Sequence, residues 1–229
     1  MGSGPLDDHR FVGYRRKLIE EVRAAGVEDL EVLQLLDRVP RHHFLPEGVW
    51  PRAYEDAAVP IGYGQTASQP SLQAWALTVL RPGPDDRVLE VGTGGGFMTA
   101  LLALLADRVY SIERVRELSQ RARRALDDLK LTNVALMVGD GTIGWRKYAP
   151  FDVIVVSAAA PAVPQPLADQ LADGGRMLIP LGSREEQRLM LVEKTGFAVT
   201  ERPVRDGCQF APLVGKFGWA PESGEGRTT

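Results

Sequence analysis

The residues whose types and spacing most directly specify chemistry are Glu90 and the glycines at 92, 94, 95 and 96 of this 229-residue chain. They stand in Val88-Leu89-Glu90-Val91-Gly92-Thr93-Gly94-Gly95-Gly96-Phe97-Met98. Val88 to Val91 read as a short buried strand, and Phe97 to Ala106 as a helix that is apolar nearly all round. Between them, glycines without a Cβ let the backbone come close to a ligand. A helix start presents free N–H groups to whatever sits there. Strand, turn and helix form the first half of a nucleotide-binding βαβ unit.

The spacing narrows the ligand. A dinucleotide fingerprint needs G-x-G-x-x-G, and its third glycine position is occupied here by Phe97. Glu90 stands two residues before the first glycine, where a carboxylate repels a pyrophosphate and suits a cationic group. S-adenosylmethionine (SAM), with its ammonium and sulfonium, fits; a purely structural turn is the plainer alternative. Glu113 follows Gly92 by 21 residues, at the end of the next predicted strand, where an acid can accept both ribose hydroxyls. Its plainer alternative is a surface ion pair with Arg114 or Arg116. Asp140, in Gly139-Asp140-Gly141, ends a third strand and can accept from an adenine amino group, or can simply make an Asp-Gly turn. The three features, in order and register, favour an adenosyl ligand.

The elements that position them alternate. Residues 9–39 predict two helices, with Tyr14, Leu18 and Val22 on one face of the first and Leu33, Leu36 and Val39 on the second. Gly26 and Pro40 end them. Residues 40–66, rich in Pro and Gly and holding His42, His43, Trp50 and Tyr54, predict a long loop that covers a site. Ser68 is the expected N-cap of a helix running to about Leu80. Strands are expected at 88–91, 109–113, 134–138, 151–156, 177–180, 189–193 and 210–214, and helices at 114–129 and 164–171. Strand–helix alternation implies a doubly wound, mostly parallel seven-stranded α/β sheet behind an N-terminal helical segment. Its ligand lies outside the carboxyl ends of the strands. One domain is expected over 1–218, with 1–80 on the substrate side and 81–218 binding the cofactor. Residues 1–8 read as loose and 219–229 as a disordered tail.

Composition bounds the partners. The net charge of −3 gives no electrostatic footprint for nucleic acid or an anionic membrane. No apolar run reaches transmembrane length, and the N-terminus has no secretory h-region. The single cysteine, Cys208, allows no internal disulfide and suits a reducing compartment. It reads as packed rather than nucleophilic. No His/Cys/Asp cluster has metal-ligand spacing, so no metal is expected. A cytoplasmic monomer is expected.

From about residue 12 to 217 the chain resembles the protein-L-isoaspartate O-methyltransferases. The resemblance rests on Val39-Pro40-Arg41-His42, Ala53-Tyr54-Glu55-Asp56, Pro60-Ile61-Gly62-Tyr63-Gly64-Gln65-Thr66-Ala67-Ser68-Gln69-Pro70 and the Glu90–Gly96 turn. It continues through Gly139-Asp140-Gly141, Ala149-Pro150-Phe151-Asp152, Ala158-Ala159-Ala160-Pro161, Gln170-Leu171, Gly174-Gly175-Arg176 and Phe210-Ala211-Pro212-Leu213. Gly64–Pro70 is the specific stretch; the glycine turn is shared by most SAM-dependent methyltransferases. The resemblance implies transfer of the SAM methyl to the α-carboxylate of an isoaspartyl residue, which initiates repair of aged proteins. It implies Ser68 as the active-site serine, and Thr66, Glu90, Gly92, Thr93, Gly94, Gly96, Glu113, Asp140 and Gly141 as cofactor-binding residues. Ala67 stands where the family usually has Ile, Ser71 where an aromatic or His is common, and Phe97-Met98 where Tyr-Gln is common. The first two border the expected substrate pocket and bear on peptide preference. His42 and His43 are not needed as bases, because a carboxylate is already ionised at neutral pH. Two alternatives are a same-fold enzyme acting on an aspartate of a biosynthetic peptide, and a SAM-binding adaptor without catalysis; retention of Thr66 and Ser68 speaks against the adaptor.

Overall fold

A computed structural model describes residues 9–221. Its centre is a seven-stranded sheet: β3 (Arg87–Val91), β4 (Arg108–Glu113), β5 (Val134–Val138), β6 (Phe151–Val156), β7 (Leu171–Gly182), β8 (Gln187–Thr195) and β9 (Ala198–Cys208). The strand order is β5-β4-β3-β6-β7-β8-β9, parallel from β5 to β7 and antiparallel across β8 and β9. The order turns back between β3 and β4 on one side and β3 and β6 on the other. That reversal opens a crevice at the carboxyl end of β3.

Alternation along β3 explains the layering. Val88 joins one apolar cluster, and Leu89 and Val91 join another. The first cluster holds buried side chains of α1 (Val12–Ala24), α2 (Leu30–Arg38), α3 (Pro70–Leu80), α4 (Phe97–Leu105) and α5 (Arg116–Asp128). The second holds Leu167 of α6 (Gln165–Asp169), and Trp145 and Tyr148 pack against it. Seven of the nine α4 residues are buried, as their apolar run requires.

Several expectations are corrected. The seventh strand is β9, not Phe210–Val214, which forms only isolated bridges at Pro212 and Val214. Every β9 side chain from Ala198 to Pro203 is exposed, so this edge strand carries no apolar alternation to read. Tyr14 is exposed, while Leu18 and Val22 are buried. Residues 40–66 are not bare loop. They hold short 3₁₀ turns at Arg41–Phe44 and Glu47–Arg52, then a hairpin of β1 (Val59–Gly62) and β2 (Gln65–Ala67). Tyr63 and Gly64 make that hairpin turn with positive φ (56° and 67°). Trp219, expected in a loose tail, donates its backbone N–H to Leu213 O (2.8 Å) and its indole N–H to Ala159 O (3.1 Å). Residues 1–8 and 222–229 lie outside the described residues.

Candidate active site

A cleft of about 430 Å³ opens at the carboxyl ends of the parallel strands. Gly92 to Gly95 line it after β3, Glu113 after β4, Gly139 and Gly141 after β5, and Ser157 after β6. Thr66 to Ser68 form the opposite wall, and residues 207–214 form a lip.

The glycine-turn wall is built from backbone. Gly94 adopts φ +54°, a region that costs any residue with a Cβ. Its N–H donates to Glu113 Oε2 (2.7 Å), and the Val115 N–H donates to Oε1 (2.9 Å). Glu113 is therefore no surface ion pair with an arginine. It is 7% exposed, ties the glycine turn to the end of β4, and keeps a second lone pair on each oxygen. Gly95 abuts the 3₁₀ turn at Arg41–Phe44: a Cβ there would collide with the carbonyl oxygen of Phe44.

Four sequence-predicted residues take places different from those expected. Glu90 does not line the cleft. It lies fully buried beneath the turn, its Oε2 accepting from Thr99 Oγ1 (2.5 Å) and Ser111 Oγ (2.6 Å), while Oε1 has no partner. Burial pushes its carboxyl up to about 7, the two hydroxyl hydrogen bonds opposing the shift. Ser111 Oγ also meets Thr93 Oγ1 (2.5 Å), so Glu90 acts on the cleft through Thr93, which does line it. Asp140 likewise stays off the lining. Its Oδ1 accepts from Thr142 N and Oγ1 (2.8 and 2.6 Å), and its Oδ2 from Lys216 N (2.8 Å), so it fastens the lip to β5. Gly96 is packed: a Cβ would sit 3.0 Å from that of Ala122. Ser68 is not the N-cap of α3. Gln69 holds that position and Pro70 is the first helical residue, while Asp56 Oδ1 accepts from Ser71 N (2.7 Å) across fifteen residues. Ser68 lines the cleft, and its hydroxyl makes no hydrogen bond to another described residue.

The residue that sets Ser68 carries little signal in the sequence. Arg41 is 1% exposed, and its guanidinium donates to Ala53 O (2.6 Å), Ala57 O (3.4 Å) and Ser68 O (3.1 Å). Desolvation brings it down to about 10, which still leaves it charged at neutral pH. That signal is a basic residue in Val39-Pro40-Arg41-His42; its acceptors are carbonyls, which every residue carries. His42 Nδ1 pairs with Tyr54 OH (2.7 Å) in the interior, and His43 pairs with Asp128 (3.1 Å), away from the cleft. Cys208 is buried, its thiol pushed up by that burial and donating to Gln187 O (3.2 Å). Among the described residues, no group of His, Cys, Asp and Glu could hold a metal, and no helix is long and apolar enough to cross a membrane.

Comparison with known proteins agrees with this geometry. The model of the family described as protein-L-isoaspartate(D-aspartate) O-methyltransferase (PCMT) matches residues 14–218. Protein-L-isoaspartate O-methyltransferase 2 of Geotalea uraniireducens is 46% identical over 209 residues, covering 91% of this chain and 96% of the relative. The protein-L-isoaspartate O-methyltransferase of Geobacter metallireducens is also 46% identical over 209 residues, covering 91% and 97%. A solved protein-L-isoaspartate O-methyltransferase superposes with a TM-score of 0.79 at 28% identity, over 89% of this chain and 67% of that one. A putative one from Plasmodium falciparum, in complex with S-adenosyl-L-homocysteine (SAH), superposes with a TM-score of 0.75 at 25% identity, over 87% and 98%. With the family model matching residues 14–218 and relatives 46% identical over 91% of the chain, the chain belongs to the protein-L-isoaspartate(D-aspartate) O-methyltransferase family.

Proposed function

We propose that this cleft transfers the methyl group of SAM to the α-carboxylate of L-isoaspartyl residues in damaged proteins or peptides, the first step of their repair. The observation that carries the proposal is Ser68, a hydroxyl without a partner among the described residues, set in the wall opposite the glycine turn and Glu113. The residues fit an adenosyl cofactor: a backbone cradle at Gly92–Gly95, and a buried carboxylate whose remaining lone pairs can accept two ribose hydroxyls. When bound, SAM supplies an electrophilic methyl on a sulfonium.

The chain's own residues supply position. Ser68 donates a hydrogen bond to the substrate carboxylate and aims one of its oxygens into the cleft. No proton need be removed and no covalent enzyme intermediate forms, because the acceptor is already anionic. Thr66, beside Ser68 on the hairpin wall, and Gly92, Thr93, Gly94, Glu113 and Gly141 border the cofactor. Glu90, Gly96 and Asp140 shape that border from behind. The reading makes residues 1–218 one methyltransferase domain, with 1–80 on the substrate side. It places a monomer in the cytoplasm, where the one thiol stays reduced, acting on peptides rather than on nucleic acid or membrane.

The test is methyl transfer from labelled SAM to an isoaspartyl peptide and to its aspartyl twin. Methylation of the isoaspartyl form alone is expected; preference for the aspartyl twin would assign the cleft to a biosynthetic peptide instead. Ser68→Ala should lower kcat/KM about ten- to hundredfold, the scale of one hydrogen bond to a charged group, with SAH affinity changed far less.

A further inference from the structure

Two polar groups of the cleft have no task in the methyl transfer. Arg205 of β9 lines the cleft and reaches across to α3, its guanidinium 5.4 Å from the centre of the Trp75 ring. Its neighbours on β9 are paired, Asp206 with Arg188 (3.0 Å) and Arg202 with Glu193 (3.4 Å). Among the described residues, Arg205 has no carboxylate partner. Gln73, one helical turn after Gln69 on α3, lines the same cleft and a small side pocket with Ser68, Leu72 and Phe210. Its Oε1 is buried and has no hydrogen-bond donor. A buried acceptor without a donor is costly, and a cation held on an aromatic face is ready for an anion.

On the reading of the cleft as an isoaspartyl methyltransferase site, we propose that the groove between α3 and the segment after β9 selects the peptide. The Gln73 side chain, which lines the groove, turns its amide so that the unpartnered Oε1 accepts a main-chain N–H of the substrate, and Arg205 pairs with an acidic side chain next to the isoaspartyl residue. The enzyme is thereby selective for isoaspartyl sites with an acidic neighbour. The floor of the groove, Leu72 and Phe210, is apolar and suits an extended chain. Arg205 does not hold the reacting carboxylate. A two-pronged, charged guanidinium on the reacting carboxylate would draw negative charge from the oxygen that must attack the methyl, whereas one neutral Ser68 hydroxyl draws far less. The other charges of the lining, Glu113 and Arg114, are adjacent at the end of β4, on the cofactor side.

The experiment uses isoaspartyl peptides that differ only in carrying Glu, Gln or Lys beside the isoaspartyl residue, on either side in turn. For the wild type, kcat/KM should fall from Glu to Gln to Lys on at least one side, by about three- to tenfold per step, with the difference in KM. The spread should narrow as salt rises. Arg205→Gln should flatten the order, and Arg205→Glu should invert it. Gln73→Leu should raise KM for all three peptides by a similar factor and leave their order unchanged. SAH titrations should stay within about twofold of the wild type for all three variants. An unchanged order in Arg205→Glu overturns the proposal, and so does a loss of SAH affinity there, which would assign Arg205 to the cofactor. If the wild type methylates none of the isoaspartyl peptides, the proposed function falls as well; if it methylates all three equally, only this inference does.

Discussion

The two walls of the cleft are held in different ways. The glycine-turn wall is fixed by its own backbone and by the strand ends beside it: Gly92 N–H to Ile112 O (2.8 Å), and Gly94 N–H to Glu113 Oε2 (2.7 Å). The Ser68 wall is a strap from Ala53 to Ser68, and one buried guanidinium, Arg41, holds three of its carbonyls. A β-strand followed by glycines has few ways to fold, so the first wall is rigid by construction. The strap has many, and side chains select among them: Arg41 with three carbonyls, Arg121 with that of Ile61 (2.7 Å), and Asp56 with the Ser71 N–H (2.7 Å). The first wall should therefore fail by steric insult, and the second by loss of one donor set.

Gly95→Ala attacks the seam between the glycine turn and the Arg41–Phe44 turn that carries the strap's anchor, and should have the largest effect. The added methyl would enter the Phe44 carbonyl oxygen, which is backbone and cannot swing aside. Overpacking of this kind costs about 1–3 kcal/mol, here at the top of the range. SAH affinity and methyl transfer should fall together by about a hundredfold, measured by calorimetry and by label transfer. A variant that binds SAH normally would mean that the Arg41–Phe44 turn yields to the added methyl without disturbing the glycine turn.

Glu90 tests whether the first wall's rigidity depends on a buried charge. Its folded-state value, about 7, lies above the ordinary carboxylate value of 4.5. Below pH 4.5 both folded and unfolded forms carry the proton and nothing is lost. As pH rises from about 4.5 to 7, the unfolded chain releases its proton first. Stability then falls, by an amount on the order of 3 kcal/mol, and levels off above 7. Glu90→Gln stays neutral and should lack that fall. Urea titrations of both proteins at pH 4.5, 6 and 8 should show stability curves that diverge with pH; parallel curves would mean that Glu90 ionises as it does in water.

Glu113→Ala leaves the Gly94 and Val115 N–H groups without acceptors and removes the acceptor proposed for the ribose. SAH binding should weaken by about 1.5–3 kcal/mol, again by calorimetry. Equal affinity would restrict Glu113 to holding the loop.

These residues also show what could be read from the chain. The parallel strands, the glycine turn and Glu113 follow from short-range pattern: apolar runs, a turn without Cβ atoms, an acid at a strand end. The place of Glu90 did not, because a strand's period of two tells that it alternates with Val91, not which side opens on the cleft. Asp140 was found as an acid at a strand end, but its partners, Thr142 and Lys216, come from its own turn and from the far lip. β9 is not legible because its exposed residues carry no alternation, and Phe210–Val214 reads as a strand because an apolar lip resembles one. Arg41 and Asp56 act over 12 to 27 and 15 residues on backbone groups that any sequence possesses.

Arg41→Lys tests the second wall. An ammonium keeps the charge but cannot span three carbonyls as a planar fork does. The kcat/KM for an isoaspartyl peptide, counted per SAH-binding site, should fall roughly tenfold, about 1.4 kcal/mol, with SAH affinity held within about twofold. A loss only in the folded fraction, with normal turnover per site, would make Arg41 a stabiliser of the strap and nothing more.

The smallest effect separates capping from chemistry at the start of α3. Ser68 precedes Gln69, the N-cap, and the Ser71 N–H is capped by Asp56 (2.7 Å). Losing a helix cap costs about 1 kcal/mol. Asp56→Ala should therefore lower unfolding stability by about that much, while Ser68→Ala, which removes no internal hydrogen bond, should leave it within about 0.5 kcal/mol. The kinetic order should be the reverse, with Ser68→Ala the slower methyltransferase. Thermal melts and kcat/KM on the two variants decide the matter. If Ser68→Ala melts lower and turns over normally, the hydroxyl serves the helix, and the substrate carboxylate must be held by another donor of the cleft.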